Sequence, residues 1–206
     1  MSADNNDNSA KNDNSETRLK IIQASTKLFA SKGYDHTTIS EIARESGLSD
    51  GAIYTYFANK EKLLLSIPDR WLRDAQAEII EQLFGIEGVP NKLRKFMWWI
   101  LRYVQKNPDM AKVTFLYLKT NRQFIETDEY QTLRQVYSVL LQIFTEGMES
   151  GEVSSAFSPH IARQVFLGTI EHIIIRWLVK DMSYDLFEEL PQTFGLLMNG
   201  LLAPKR

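Results

Sequence analysis

Apolar residues recur at helical spacing along almost the whole chain of 206 residues. In the segment that follows Glu16, the positions Leu19, Ile22, Thr26 and Phe29 are three or four residues apart, which places them on one face of an α-helix. No segment shows sustained alternation of apolar and polar residues, so we expect no sheet. The pattern predicts an all-α protein of about nine helices.

Glycine, proline and polar clusters divide the chain into three parts. Residues 1–15 are predicted to be a disordered tail, because after Met1 they contain no large apolar side chain. Residues 16–60 contain three short amphipathic helices and are predicted to be a first domain. Residues 61–206 contain longer and more apolar helices, which we expect to form a second domain.

Composition narrows the class of protein. An apolar content of 44% allows a sizeable core, and the absence of cysteine excludes a disulfide framework, a thiolate zinc site and a Cys nucleophile. The acidic, polar N-terminus is unlike a signal peptide, and no apolar run approaches the ~18 residues of a membrane span. We therefore expect a cytoplasmic protein with no membrane partner, cofactor or metal.

The most specific pattern lies in residues 37–63. Thr38 and Glu41 have the spacing of a capping box at the start of a helix. Gly47-Leu48-Ser49 then forms a break with the length and glycine content of a helix-turn-helix turn. Ser49 is also a suitable N-cap for the second helix of such a unit.

The second helix, from Asp50 to about Phe57, presents little side-chain bulk near its start. With Ile53 and Phe57 turned inward, its remaining face is small enough to approach a DNA groove closely. Lys60 follows at the start of another helix, where a bound phosphate would offset its repulsion from the helix dipole. A three-helix unit that binds no DNA fits the same spacing, and the net charge of residues 17–64, seven basic against five acidic, is only mildly positive.

The sequence resembles the TetR family of one-component transcriptional regulators over about 45 residues. The matching positions are Gly33-Tyr34, Thr37-Thr38, Ile42-Ala43, Gly47-Leu48-Ser49, Gly51, Ile53-Tyr54, Phe57, Lys60-Glu61 and Leu63-Leu64. Ser46 replaces the usual Ala and Leu48 the usual Val. The resemblance implies a three-helix DNA-binding domain followed by a helical domain for ligand binding and dimerisation. By position, it implies DNA contacts from Thr38, Ser40, Ser49, Asp50, Gly51, Ala52, Tyr54, Thr55, Tyr56 and Lys60.

The stretch from Leu118 to Leu186 is similar to the FadR-type fatty-acid-degradation repressors of that family, notably over residues 145–153. This resemblance implies a long-chain acyl-CoA or a fatty acid as the effector.

The last two predicted helices are apolar nearly all round. The helix near residues 159–180 and the helix near residues 184–202 carry more apolar surface than one small domain encloses easily. A four-helix interface between two copies of the chain would cover them, and a monomeric bundle core is the alternative. A homodimer would place its two recognition helices about 34–36 Å apart on a pseudo-palindromic site.

Aromatic residues concentrate in the middle helices. Such a stripe is usual in a plain core, but it also suits an elongated apolar pocket with a few polar groups. The residues predicted to bind a ligand are Trp71, Phe96, Trp99, Tyr103, Phe115, Asn121, Arg122, Phe144 and His172.

Pro68 lies inside the helix predicted over residues 60–84. Either it fixes a bend about which the DNA-binding domain pivots, or Ser66 caps a second helix segment that begins near Ile67.

The sequence therefore predicts a regulator, not an enzyme, since the chain has three histidines and no HExxH, GxSxG, GxGxxG or phosphate-loop motif. We expect a homodimeric repressor that binds double-stranded operator DNA and is released by a small hydrophobic effector. The alternative is a helical lipid-binding carrier that does not read DNA.

Overall fold

The computed structural model describes residues 4–202, which fold into helices joined by short turns. The α-helices of this part of the chain are α1 (Asp4–Lys32), α2 (Ile39–Ser46), α3 (Asp50–Tyr56), α4 (Lys60–Ser66), α5 (Asp69–Leu83), α6 (Val89–Lys106), α7 (Pro108–Lys112), α8 (Asp128–Glu149), α9 (Pro159–Val179) and α10 (Leu190–Leu201). A π-helical turn, Val113–Leu118, continues α7, and a 3-10 turn, Phe124–Glu126, precedes α8. Over the described range there is no strand, which confirms the all-α prediction.

Pro68 divides the linking helix that the sequence predicts as one. The proline is buried between the end of α4 at Ser66 and the start of α5 at Asp69. Because proline has no N–H to donate, the helical hydrogen-bond ladder is interrupted there. Ser66 does not cap the second segment, since its hydroxyl donates to the carbonyl of Leu63 at 2.9 Å. Counting α4 and α5 as one interrupted helix gives the nine predicted helices.

The N-terminal segment differs from the prediction of a tail. Helix α1 begins at Asp4, so residues 4–15 continue the helix that packs further along, while residues 1–3 lie outside the described range. A formed helix extends at little cost per added residue. The polar composition indicated that this segment is not buried in a core. A segment that is not buried can still form the hydrogen bonds of a helix.

The chain has a smaller N-terminal and a larger C-terminal part, which we call the head (residues 16–60) and the body (residues 61–202). The core of the head includes Ile21, Phe29 and Ile53, which are fully buried, and it continues into the body through residues such as Leu118. A second group of buried side chains fills the body between α5, α6, α8, α9 and α10. The head is therefore packed against the body.

The turn between α9 and α10 is longer than predicted. Helix α10 begins at Leu190 instead of near residue 184. Within the turn, Asp181 and Met182 adopt the left-handed conformation with φ of 49° and 58°. The indole of Trp177 donates to the carbonyl of Tyr184 at 3.1 Å and holds this turn against α9. Among residues 4–202 no helix combines the length and the apolar character needed to cross a lipid bilayer.

Candidate functional site

Helix α2 begins with the predicted capping box. The hydroxyl of Thr38 accepts a hydrogen bond from the N–H of Glu41 at 3.2 Å, and the Glu41 carboxylate accepts one from the N–H of Thr38 at 2.9 Å. Lys32 of α1 also donates to Glu41, and these hydrogen bonds lower the pKa of Glu41 to about 2. The start of α2 is thus fixed to the end of α1 by an ionised side chain.

Helix α3 is anchored on one face and exposed on the other. Ser49 caps it by accepting from the N–H of Ala52 at 3.2 Å, while Ile53 and Phe57 are buried, as predicted. The opposite face is exposed, and Tyr54 retains 54% of its accessible surface. Two buried anchors and a cap hold the backbone of this helix so that its outer face is available to a partner.

Most of the predicted DNA contacts lie together on this exposed side. The exposed members are Thr38, Ser40, Ser49, Asp50, Gly51, Tyr54 and Thr55, and the half-buried ones are Ala52, Tyr56 and Lys60. The hydroxyl of Ser40 donates to the carboxylate of Asp50, which joins α2 to the start of α3. The structure brings the starts of α2 and α3 into one surface, which we call the α3 face.

Lys60 occupies a position that the sequence did not predict. Its ammonium donates to the carbonyls of Tyr34 and Thr37 at 2.8 and 3.0 Å, and it lies 4.3 Å from the centre of the Tyr34 ring. Both carbonyls belong to the turn between α1 and α2. Lys60 therefore holds this turn, and its donors face carbonyl oxygens of the chain.

Lys60→Met is expected to lower the free energy of unfolding by about 1–2 kcal/mol, because two charge-assisted hydrogen bonds are lost. Affinity for operator DNA should fall several-fold, while the slope of its logarithm against log salt stays unchanged. A lysine that binds a phosphate would instead reduce that slope by about 1. Urea unfolding and a salt titration of DNA binding measure the two effects. Lys62→Met, at an exposed position of the same helix, is the control for stability.

The aromatic residues predicted to line a pocket pack against one another as core. Trp71 and Tyr103 have ring centres 5.2 Å apart, Tyr103 and Trp99 5.3 Å, and Trp99 and Phe96 5.8 Å. The indole of Trp99 donates to Glu78 at 2.9 Å, and the Tyr103 hydroxyl donates to the carbonyl of Trp71 at 2.9 Å. Burial raises the pKa of Tyr103. We call this series of four rings the aromatic column.

Of the other predicted pocket residues, Phe115 and Phe144 belong to the same buried core as the column but make no ring contact with it. Phe144 packs on Phe166, Phe115 is buried at the π-helical turn, and Asn121 accepts from the N–H of Gln123 in a turn. Two of the predicted ligand-binding residues lie at the surface of the body, and their role stays a prediction. Arg122 and His172 are both exposed, because the 119–123 turn and that side of α9 face outward. A periodic pattern identifies a helix face but does not show which helix covers it.

A cleft of about 550 Å³ with polar and apolar walls lies between the head and the body. It is lined by Leu19, Ile22, Gln23, Thr26, Lys27, Ile67, Arg70, Trp71, Asp74, Lys106, Asn107, Pro108, Asp109 and Met110. Of the predicted ligand-binding residues only Trp71 is among them. The sequence could not indicate this cleft, because its walls come from three distant segments.

Helix α9 carries an exposed apolar stripe. Ile161, Val165, Gly168 and Val179 are exposed at helical spacing on the side of α9 that also carries His172. An apolar groove of about 310 Å³ runs between this stripe and α10, and is lined by Phe157, Ile161, Ala162, Val165, Leu196, Leu197, Gly200 and Leu201. The two most apolar helices thus leave part of their surface uncovered by their own chain.

Both parts of the chain match known families. Residues 21–67 match the bacterial regulatory proteins of the tetR family, and residues 72–200 match the C-terminal region of YsiA-like proteins. The chain belongs to the TetR family. Its helix-turn-helix segment lies inside the first match, and the second covers most of the body.

The relatives that match this TetR-family chain over most of its length include regulators of fatty acid metabolism. The fatty acid metabolism regulator protein of Bacillus subtilis (strain 168) is 29% identical over 187 residues, which are 89% of this chain and 94% of the relative. The crystal structure of the transcriptional regulator FadR from Bacillus subtilis in complex with stearoyl-CoA has a TM-score of 0.80 at 29% identity, covering 88% of this chain and 98% of that chain. FadR from Bacillus halodurans gives a TM-score of 0.78 at 28% identity, over 88% and 94% of the two chains.

These findings confirm the two resemblances seen in the sequence. The TetR-family chain is a ligand-responsive, DNA-binding transcriptional regulator with an N-terminal helix-turn-helix domain and a C-terminal helical domain. The relatives are regulators, which confirms the prediction that the chain is not an enzyme.

Proposed function

We propose that this TetR-family regulator is a cytoplasmic homodimer that represses transcription from a pseudo-palindromic operator and leaves the DNA when a long-chain acyl-CoA binds. The observation that carries the proposal is the α3 face. Its short side chains and exposed helix starts are held by two buried anchors and by two side-chain caps.

The α3 face supports groove binding through its small residues. Gly51, Ala52 and Thr55 keep the backbone of α3 within reach of base edges, and the exposed hydroxyl group of Tyr54 suits a phosphate oxygen. Asp50 would repel phosphate, but its carboxylate accepts from Ser40 and can also accept from a cytosine amine. The residues predicted to bind DNA, apart from Lys60, therefore keep their proposed role.

The exposed stripe on α9 supports the homodimer. Ile161, Val165 and Val179 of α9 and Leu196 of α10 are each at least half exposed, which is unusual for neighbouring aliphatic residues on two apolar helices. Packing of α9 and α10 against the same helices of a second copy would bury this surface in a four-helix interface. Such a dimer presents two α3 faces to one duplex.

The body supports an acyl-type effector. It is rich in buried aromatic and aliphatic side chains, and the relative from Bacillus subtilis has been crystallised with stearoyl-CoA. In the present structure Phe96, Trp99 and Tyr103 are packed together, so an alkyl chain that enters between them must displace rings of the aromatic column. Such a displacement gives the ligand a different affinity for the two states, which a switch requires.

Selection of duplexes from a randomised pool, followed by titration of the winning sequence, tests the function. We expect a palindromic motif, a dissociation constant of about 10⁻⁸ M or below, and a steep loss of affinity between about 50 and 200 mM salt. Stearoyl-CoA should then release the DNA. A lipid carrier would bind the ligand but enrich no sequence from the pool, and that outcome would contradict the proposal.

A further inference from the structure

The cleft between the head and the body has the dimensions of a ligand site. Its volume of about 550 Å³ lies within the ~300–1,000 Å³ of small-molecule sites in proteins. One wall is α1 of the head, and a second is formed by Ile67, Arg70 and Trp71 on the two sides of Pro68. The third is the junction between α6 and α7. The α3 face shares no residue with this cleft.

Three cations and two carboxylates, those of Asp74 and Asp109, line the cleft, and the three cations differ in their ion pairs. Lys27 is paired with Glu45, and Arg70 lies 3.7 Å from the carboxylate of Asp74. The ammonium of Lys106, at the end of α6, forms no ion pair, hydrogen bond or ring contact with any side chain described in the range 14–202. A cation whose charge the chain leaves unpaired at the edge of a cavity is suited to an anionic ligand group.

The wall opposite these charged groups is apolar and leads into the body. Trp71 lines the cleft and is also the first ring of the aromatic column. The buried Nε1 of Trp71 has no hydrogen-bond partner among the described residues, which is uncommon for a buried indole. An acceptor oxygen on a ligand that reaches this ring would satisfy the N–H.

We propose that this cleft binds the phosphate-bearing part of an acyl-CoA, with Lys106 pairing with a phosphate and Trp71 marking the path of the acyl arm into the aromatic column. The inference rests on the proposed function, because it locates the effector of the same switch. A ligand in the cleft contacts the head, both sides of the Pro68 bend and the body at once. It can therefore favour one orientation of the head over another.

Calorimetric titration of the full chain with stearoyl-CoA tests the location. Lys106→Glu should weaken stearoyl-CoA binding by about tenfold or more, since a charge-assisted contact is replaced by repulsion. Arg102→Glu is the matched control, because Arg102 is exposed one turn earlier on α6 and does not line the cleft. It should change the affinity less than about twofold. Thermal melting checks that both variants are folded.

Three further ligands identify the group that Lys106 recognises. CoA should compete with stearoyl-CoA in the wild type, while stearate should bind wild type and Lys106→Glu equally. Competition by inorganic pyrophosphate as strong as that by CoA would assign the cleft to a free phosphate-type anion and overturn the proposal.

Two failures can be told apart. If stearoyl-CoA releases operator from the wild type and Lys106→Glu binds it as tightly as Arg102→Glu does, the location is wrong and the function stands. If stearoyl-CoA does not bind the wild type while operator binding persists, the proposed effector is wrong and the cleft proposal falls with it.

Discussion

Replacing Val165 with Arg is expected to convert the proposed dimer into a monomer and to lower operator affinity by about 100-fold or more. Val165 is half exposed on α9 and lines the apolar groove beside Leu196. Because a two-fold interface repeats each residue, the substitution would introduce two cations into an apolar contact. Two linked heads bind about 10²–10⁴ times more tightly than either head alone, and this advantage is lost in a monomer.

Analytical ultracentrifugation and fluorescence anisotropy with labelled operator measure the two effects. Ile80→Arg is the matched control, since Ile80 is also more than half exposed but lies on α5 and does not line the groove. The control should remain dimeric and bind DNA normally. A Val165→Arg protein that is still dimeric would show that α9 and α10 do not form the interface.

Replacing Trp99 with Ala is expected to lower the free energy of unfolding by about 3–5 kcal/mol, the usual cost of truncating a buried Trp. Trp99 is 2% exposed, contacts the rings of Phe96 and Tyr103, and donates to Glu78. Its loss opens a cavity in the aromatic column and leaves an acceptor without its partner. Urea denaturation followed by circular dichroism measures the change.

The neighbouring Trp98 provides the control. It is 43% exposed and contacts Phe187 at the surface of the body. Trp98→Ala should therefore cost less than about 1 kcal/mol. If Trp99→Ala were as stable as the wild type and had lost only its affinity for acyl-CoA, then Trp99 would line a pocket that is open before the ligand arrives.

The sequence predicted the local structure of the head well. The capping box of Thr38 and Glu41, the cap at Ser49 and the inward positions of Ile53 and Phe57 all depend on residues within four positions of one another. Lys60 is the exception. Its partners, the carbonyls of Tyr34 and Thr37, are more than twenty positions away, so only the fold brings them together.

In the body, by contrast, the sequence predicted less of the arrangement of side chains. The sequence showed that aromatic residues concentrate in the middle helices and that α9 is apolar nearly all round. Helical spacing could not decide whether Trp99 and Tyr103 face a ligand or each other. The cleft draws its walls from α1, from the Pro68 bend and from the junction of α6 and α7. No periodic signal links segments so far apart in the chain.

The sequence by itself determined the helices, their caps and the DNA-binding family, because hydrogen bonds and side-chain spacing within a few residues fix these features. Only the tertiary structure decided that Lys60 holds the α1–α2 turn, that the aromatic column is packed, and that Lys106 borders a cleft beside Trp71. These features depend on contacts between distant segments, and such contacts exist only after the helices have packed.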